Sequence, residues 1–339
     1  WEDLCLCQFH DVLPGSCIGM VYYDEAYPML RKLLKQADKL ILEALKVGAN
    51  SNTTSGGGVV NTLPWNRYNE IVEVSRKQSP ELFEQLIKDK VGIRTPKSSQ
   101  YKHDDDDDET VKVSVDSVDG VCKINKKVDY PASVSKIRGS NGNDDDDNDG
   151  GFILTNKLLT AKISSNGVIT SLFDEVNQRE IIDTTATNQT SNGKNSSNVG
   201  GNQFILFDDE PLNFPAWDTE LYSLEKFQFL NNGKAEILVQ DELESSIIVT
   251  HEISPNSSIE TIISLAGVNK SSSTSSDDSD NNFIKFSSTV NWHETYKFLK
   301  VQFPTTITTA LQANYETQFG ITNRSTHWNT TWDIARSEE

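Results

Sequence analysis

The chain opens with a helical pattern of apolar positions. Residues 1–9 predict the end of a buried helix, which a loop at residues 10–15 interrupts. Ser16 is placed to cap the next helix through its hydroxyl, Pro28 to kink or divide that helix, and Gly48 to end it. Apolar side chains recur three and four residues apart along it, at Leu30, Leu33, Leu34, Ala37, Leu40, Ile41, Ala44 and Leu45. This stripe predicts a long helix packed along one face.

The apolar period changes to two after residue 58. Residues 59–65, 70–74 and 111–115 predict strands, and residues 80–94 predict a short amphipathic helix. Asn166-Gly167 predicts a tight hairpin, because both residues tolerate positive φ. Further candidate strands lie at residues 152–155, 158–163, 168–173, 204–207, 235–240, 246–252, 259–265, 283–292 and 298–303. Short strands separated by turn signals are typical of a β-sandwich.

These patterns predict an α+β fold, in which a helical segment is followed by mainly antiparallel β-sandwich domains. The expected parts are a helical portion at 1–49, a Ser/Thr/Gly/Asn linker at 50–58, a small β-domain at 59–150 and a large, truncated β-sandwich at 151–339. The chain begins mid-pattern without an initiator Met, so we expect it to be truncated at its front. Polar inserts near residues 184–201 and 270–282 are predicted to be loops.

The formal net charge of −19 first suggests a cationic partner. Two aspartate tracts, at residues 104–108 and 144–147, carry nine of these charges and leave a balance of −10 that is ordinary for a chain of this length. Blocks of like charge repel one another and stay solvated, so we expect both tracts to be disordered acidic inserts in the small β-domain. A nucleic-acid partner is disfavoured, because the chain offers no basic stripe for phosphates.

The cysteines and the apolar runs bear on compartment. Cys5, Cys7, Cys17 and Cys122 lack zinc-knuckle spacing and are predicted to be buried free thiols, which suits a reducing environment. No apolar run reaches the ~20 residues of a membrane helix, and no signal peptide is recognisable at the N-terminus. We therefore expect no membrane partner.

Among the five histidines, His10 has the surroundings of a functional residue. It adjoins Asp11 in a loop held between helices, where ligands and catalytic residues are commonly placed. By spacing alone, a His–Asp pair that merely stabilises the loop is the more frequent arrangement. Structural roles are expected for His251, for the pair His293 and Glu294, and for the paired carboxylates Asp208 and Asp209, while His103 is expected to be solvated.

Several ordered motifs resemble those of glycoside hydrolase family 38 α-mannosidases, in the form found in the cytosolic and vacuolar branch. Residues 8–16 read QFHDVLPGS, 61–65 read NTLPW, 167–174 read GVITSLFD, and 201–209 contain GNQF and FDD, followed by Trp217-Asp218. The C-terminal part continues with Trp292-His293-Glu294, Phe298-Leu299-Lys300, YETQFG at 315–320, Arg324, Thr326-His327 and Asn329-Thr330. The likeness covers most of the chain except residues 76–150 and the two polar inserts.

The resemblance implies a portion of a zinc-dependent retaining α-mannosidase that hydrolyses terminal α-mannosyl residues of oligosaccharides and glycans. It implies that His10 is a zinc ligand and that Asp11 hydrogen-bonds the bound mannose. The remaining zinc ligands, the aspartate nucleophile and the acid/base are implied in an upstream α/β catalytic domain, so the chain alone is expected to be inactive. The parent is expected in the cytoplasm or in the vacuole or lysosome, with its oligomeric state left open.

The segment at residues 324–330 is a candidate for additional substrate contacts. Polar and aromatic residues in a loop between β segments can reach over an active site built by another domain, which makes Arg324, His327 and Asn329 candidate substrate-binding residues. Two alternatives to a mannosidase portion stay open. One is a non-catalytic carbohydrate-binding or scaffold β-sandwich module, and the other is a purely structural β protein.

Overall fold

The computed structural model of the chain describes residues 1–49, 67–94, 109–118, 121–125, 127–137, 150–185, 199–215, 218–269, 282–317, 319–327 and 329–330. The predicted linker at 50–58, the predicted strand at 59–65, both aspartate tracts, His103 and most of the two polar inserts lie outside the described residues. The α+β prediction is confirmed, because a helical segment precedes a series of antiparallel sheets.

The helical segment consists of helix α1 at Glu2–Cys7, a π-helical turn at Val21–Ala26 and helix α2 at Tyr27–Ala49. Pro28 stands just after the point where the π-helical turn passes into α2. Proline has no N–H to donate to an α-helical hydrogen bond. Just before it, the Tyr27 N–H donates to the Tyr22 carbonyl five residues earlier, which is the spacing of a π-helix. The predicted division at Pro28 therefore takes the form of a change in helix type.

The predicted burial of these helices is wrong for much of their surface. Cys7 is buried, but Leu6 is 60% exposed and Leu34 is 65% exposed, and Leu40 and Ile41 are exposed as well. Helices α1 and α2 pack against each other. An apolar period shows that a helix has a hydrophobic face, but it does not show which chain covers that face. No described helix combines the length and apolarity needed to cross a membrane.

The four cysteines are free thiols, as predicted, but their predicted burial holds only in part. Cys7 is buried, Cys17 and Cys122 are half-buried, and Cys5 is exposed. Two residues apart on α1, Cys5 and Cys7 face different sides of the helix, so one can be covered while the other meets solvent.

A small sheet follows the helices. It contains β1 at Arg67–Ser75, β2 at Ile93–Arg94, β3 at Thr110–Val118 and β4 at Val121–Asn125, and helix α3 at Pro80–Asp89 joins β1 to β2. Strand β3 is central, with β1 on one edge and β2 and β4 on the other. The alternating valines of β3 meet the apolar face of α3 in one core, formed by Val74, Phe83, Leu86, Val111, Val113 and Val115. The strands predicted at 70–74 and 111–115 are confirmed. The amphipathic helix predicted at 80–94 is confirmed as far as Asp89, whereas Ile93–Arg94 form β2.

The described residues from 133 onward form strands and one turn of 3-10 helix at Leu221–Glu225. In chain order the strands are β5 Ser133–Lys136, β6 Phe152–Thr155, β7 Leu159–Ile163, β8 Ile169–Asp174, β9 Arg179–Glu180, β10 Gln203–Asp208, β11 Phe227–Phe229, β12 Lys234–Val239, β13 Glu244–Ser254, β14 Ser257–Ala266, β15 Ile284–Asn291, β16 Lys297–Gln302, β17 Gln312–Thr317 and β18 Gly320–Ser325. Every strand predicted from residue 152 onward is present.

Two antiparallel sheets form the predicted sandwich. Strands β5 to β9 follow one another in the first sheet, and β12 to β15 follow one another in the second. Buried residues alternate along β7 and along the first part of β14, as expected when one face of each strand is covered. The two inner faces meet in a shared core that includes Phe152, Leu154, Ala161, Ile163, Ile247, Val249, Ile263 and Leu265. A third sheet, in the order β11-β10-β16, packs its residues Phe204 and Leu206 against Ile259 of β14 in the second sheet.

The hairpin predicted at Asn166-Gly167 joins β7 to β8. Gly167 has a φ of +85°, and its N–H donates to the Ser164 carbonyl at 2.9 Å. A Cβ at position 167 would lie 2.4 Å from a methyl carbon of Val249, so the turn abuts the opposite sheet. Glycine is required here both for its backbone conformation and for the lack of space.

The small sheet is joined to the sandwich by buried polar contacts. The Lys112 ammonium on β3 lies 2.5 Å from the Glu244 carboxylate on β13, with side chains 21% and 6% exposed. Nearby, the Asn269 N–H donates to the Asn69 side-chain oxygen at 3.0 Å, and the Asn69 amide group donates back to the Asn269 carbonyl at 3.4 Å. These contacts fix how the small sheet sits on the end of the sandwich.

Candidate metal-ligand loop at His10 and Asp11

The loop that carries His10 and Asp11 is a compact series of turns after α1. The Val12 and Leu13 N–H groups both donate to the Phe9 carbonyl, at 2.9 and 3.1 Å. Gly15 has a φ of +90°, a backbone conformation that favours glycine and that reverses the chain toward the π-helical turn. These local hydrogen bonds therefore hold the loop between the two helical segments in a defined conformation.

Ser16 closes the loop and does not cap a helix. Its N–H and its hydroxyl both donate to the Asp11 carbonyl, at 3.2 and 3.4 Å. The prediction of an N-cap at Ser16 is wrong, because the next helical residues begin at Gly19. A serine hydroxyl bonds whichever backbone group is nearest, and here that group belongs to the preceding turn.

His10 and Asp11 present their side chains together. The His10 side chain is 75% exposed, and its Nε2 lies 3.6 Å from Asp11 Oδ1, too far for a hydrogen bond. Asp11 Oδ1 is buried and has no hydrogen-bond partner. Because the two atoms are 3.6 Å apart and the imidazole is largely exposed, this pair contributes little to stability, so the geometry does not favour a purely loop-stabilising role. It leaves one imidazole and one carboxylate oxygen free to bind something else.

This pair fits part of a zinc site. Imidazole nitrogen and carboxylate oxygen are both common zinc ligands, and a buried carboxylate oxygen without a partner is a group that a cation or a hydroxyl would satisfy. The described residues contain no group of three or more His, Cys, Asp or Glu side chains that could hold a metal ion. Within the described part of the chain, His10 and Asp11 therefore offer two donors and no complete ligand set.

The residues predicted to contact substrate lie on or beside the C-terminal hairpin. Arg324 is in β18 and pairs across from Ala313, so the prediction that it lies in a loop is wrong. His327 follows the hairpin, next to Thr326, whose hydroxyl donates to the Ala310 carbonyl at 2.5 Å. Asn329 is exposed. The structure brings His10 and Asp11 together, whereas a role of these three residues in substrate binding stays a prediction.

His293 and Glu294 are held by the hairpin between β13 and β14. The His293 N–H donates to the Ser257 hydroxyl at 2.9 Å, and the Glu294 carboxylate accepts from the Ser254 hydroxyl at 2.5 Å. The bond from Ser254 is the main cause that lowers the pKa of Glu294. Strand β15 ends at Asn291, so the two residues do not lie on opposite faces of a strand as expected, but both contacts favour the expected structural role.

The paired carboxylates Asp208 and Asp209 also make structural contacts. Asp208 ends β10 and forms an ion pair with Lys297 on the neighbouring strand β16. The Asp209 N–H donates to the Tyr296 carbonyl at 2.8 Å, which continues the same strand pairing. The ion pair favours the expected structural role of Asp208. The contact of Asp209 is made by its backbone, and its side-chain Oδ1 is buried without a hydrogen-bond partner.

His251 lies in the interior of the sandwich. Its ring is 1% exposed, contacts Phe204 edge-on at 5.3 Å between centroids, and has no partner for Nδ1. Gly233 lies so close that a Cβ there would be 2.6 Å from His251 Nε2. Burial lowers the pKa of His251 below the ordinary value of 6.5, because the charged ring would lose its hydration.

His251 should make the sandwich sensitive to acid. The folded state keeps the ring neutral, whereas the unfolded chain takes up a proton near pH 6.5, so stability is fully present above that pH and declines below it. We expect the urea midpoint to fall between about pH 7 and about pH 5, and the fall to be smaller in His251→Gln. His293→Gln, at a ring outside the core, serves as the matched control. An equal fall in all three proteins would contradict this assignment.

Comparison with known proteins relates two parts of the chain to one group of enzymes. Residues 154–339 match the family described as "Glycosyl hydrolases family 38 C-terminal domain", and residues 1–47 match "Alpha mannosidase middle domain". The chain belongs to glycosyl hydrolase family 38. This confirms the resemblance drawn from the motifs.

Relatives within family 38 match along the entire chain. It is 34% identical to an alpha-mannosidase of Saccharomyces cerevisiae, 31% identical to human alpha-mannosidase 2C1 and 29% identical to alpha-mannosidase G of Dictyostelium discoideum. Each match covers 100% of this chain, but only 24%, 27% and 30% of the respective relative. This family 38 chain thus spans less than a third of the length of each of these relatives.

A solved structure supports the fold of this family 38 chain. A crystal structure of a protein in glycosyl hydrolase family 38 from Enterococcus faecalis matches with a TM-score of 0.58 and 13% sequence identity. The match covers 96% of this chain and 42% of that protein. At this identity the likeness concerns the arrangement of helices and sheets.

Proposed function

We propose that this chain is a portion of a zinc-dependent retaining α-mannosidase, which hydrolyses terminal α-mannosyl residues of oligosaccharides and glycans. The observation that carries the proposal is the His10–Asp11 loop, in which an exposed imidazole stands beside a buried, unpartnered carboxylate oxygen. Support comes from membership of family 38 and from three relatives named as alpha-mannosidases.

In the proposed site, His10 binds the zinc ion through a ring nitrogen and Asp11 accepts hydrogen bonds from hydroxyls of the bound mannose. A bound zinc ion would act as a template for the sugar and would stabilise developing charge. The loop hydrogen bonds hold the backbone of this segment, and His10 Nε2 lies 3.6 Å from Asp11 Oδ1, so one sugar would meet both side chains. Arg324, His327 and Asn329 are proposed as further substrate contacts.

The proposal divides the active site between this chain and the rest of a longer enzyme. Zinc needs three or four protein ligands, and the described residues offer His10 and Asp11 without a larger group. We place the other ligands, the carboxylate nucleophile and the acid/base of the retaining reaction in an upstream catalytic domain. We also propose the domain limits given above, at residues 1–49, 50–58, 59–150 and 151–339. The free thiols accord with a parent enzyme in the cytoplasm, with the vacuole or lysosome as the alternative.

A zinc-retention experiment tests this division of the active site. The chain by itself and the full-length enzyme are dialysed against a weak chelator, and zinc is measured by atomic emission. We expect about one zinc per full-length enzyme and far less than one per isolated chain, because two donors do not close a site. Stoichiometric zinc in the isolated chain, or hydrolysis of an aryl α-mannoside by it, would contradict the proposal.

A further inference from the structure

The hydroxyl of Tyr22 lies at the back of the His10–Asp11 loop and contacts three backbone groups of it. It lies 3.1 Å from the Asp11 carbonyl, 3.0 Å from the Val12 carbonyl and 3.2 Å from the Cys17 nitrogen. A phenol has one proton to donate and lone pairs that accept. The hydroxyl therefore accepts from the Cys17 N–H and donates to the two carbonyls, sharing its single proton between them. One side chain thereby ties together the beginning and the end of the loop.

The π-helical turn brings Tyr22 to this position. Tyr22 is in the first turn of the segment Val21–Ala26, where the wider backbone spacing inserts one residue relative to an α-helix. Its ring is half-buried and lies 5.8 Å from the Tyr27 ring, so the side chain is held from the helix side as well. A rare helix type thus aims a fixed aromatic side chain at the candidate ligand loop.

Tyr22 contacts the backbone of Asp11, the residue that carries the candidate carboxylate. The Asp11 carbonyl already accepts from the Ser16 N–H and hydroxyl, so the Tyr22 hydroxyl adds a further donor at the same atom. Fixing the Asp11 carbonyl fixes the peptide plane that follows it, and with it the direction in which the Asp11 side chain leaves the backbone. His10 is the preceding residue and depends on the same turn.

We propose that Tyr22 is a positioning residue, which holds the backbone of the loop so that His10 and Asp11 face the zinc and the sugar. The proposal rests on the function proposed above for these two residues. Groups that orient a metal ligand from behind commonly change metal affinity by about 10- to 100-fold when removed. Tyr22 does so through the main chain, since its hydroxyl bonds backbone atoms.

The test compares Tyr22→Phe with Tyr23→Phe in the full-length enzyme. Tyr23 is the neighbouring residue, is 72% exposed and contacts the same Tyr27 ring, so its phenylalanine variant controls for losing a hydroxyl in this segment. We expect Tyr22→Phe to raise the zinc dissociation constant about tenfold and Tyr23→Phe to leave it unchanged. In the metal-free enzyme, Tyr22→Phe should also speed amide hydrogen exchange in residues 12–17, while the melting temperature stays close to that of the parent.

The Co²⁺-substituted enzyme gives a further readout. Its visible absorption band reports ligand geometry, and we expect the band to shift in Tyr22→Phe and not in Tyr23→Phe. Identical zinc affinity, exchange rates and spectra in the two variants would overturn the role of Tyr22 alone. A full-length enzyme that holds no zinc, or that keeps zinc in His10→Ala, would overturn the proposed function. The hydrogen-exchange rates of the metal-free enzyme would still show whether the Tyr22 hydroxyl stabilises the loop.

Discussion

His10→Ala in the full-length enzyme is expected to reduce zinc to well below one equivalent and to lower kcat/KM by about a thousandfold or more. A zinc ion in a glycosidase site supplies several kcal/mol of substrate positioning and charge stabilisation, and about 4 kcal/mol corresponds to a thousandfold in rate. The side chain is 75% exposed, so its removal creates no cavity and the fold should be unaffected. Zinc content, circular dichroism and steady-state hydrolysis of an aryl α-mannoside measure the three effects.

Asp11→Asn serves as the matched variant for this experiment. It keeps the size of the side chain at a position where one oxygen has no protein partner. We expect the Asn variant to keep its zinc and to lose substrate affinity and rate, because a neutral amide oxygen accepts sugar hydroxyls less strongly than a carboxylate. Normal metal content and activity in His10→Ala would show that the ligand assignment is incorrect.

Lys112→Met is expected to destabilise the β region by about 3–5 kcal/mol. The change leaves the Glu244 carboxylate, with a side chain only 6% exposed, without its cationic partner. A buried charge that loses its partner costs far more than the net contribution of the pair, because neither water nor protein replaces the lost contact. Urea unfolding, followed by tryptophan fluorescence and by circular dichroism, measures the loss.

Two variants control the Lys112 experiment. Lys39→Met removes one member of an exposed pair with Glu43, whose side chains are 77% and 59% exposed, and should cost less than about 1 kcal/mol. The double variant Lys112→Met/Glu244→Met removes both charges and should regain much of the stability, since no ion is left unpaired. If Lys112→Met costs no more than Lys39→Met, the contact between the two sheets does not depend on this ion pair.

The elements of this protein could be predicted well because their signals are local. Valines at positions 111, 113 and 115 alternate as a strand requires, and Asn166-Gly167 marks a turn that no larger residue pair would fit as well. The apolar period predicts the long helix α2 equally well. It does not predict what packs against the apolar face of that helix, since periodicity carries no information about the packing partner. The exposed Leu34 and Leu40 show this directly.

The candidate site could be predicted only in its outline. His10 and Asp11 are adjacent in sequence and stand before a Pro-Gly turn, so their meeting needed no long-range information. The contact of Tyr22 with Asp11 depends on a π-helical turn, and the apolar pattern of the sequence does not distinguish that turn from an α-helix. The link between Asn69 and Asn269 joins residues 200 positions apart and follows from tertiary packing. Ser16 is a residue type that often caps helices, but its hydroxyl donates to the nearest acceptor, the Asp11 carbonyl.

Because of the π-helical turn, the position of Tyr22 depends on the number of residues between Met20 and Pro28. Each residue of an α-helix rotates the chain by about 100°, so losing one residue from Val21–Ala26 would restore ordinary helix and leave the apolar phase of α2 undisturbed. The same deletion would swing the aromatic side chain at position 22 away from the loop behind which it stands. A one-residue deletion that preserves the helices would then separate Tyr22 from the His10–Asp11 loop. We therefore expect relatives to conserve the length of this stretch more strictly than its composition.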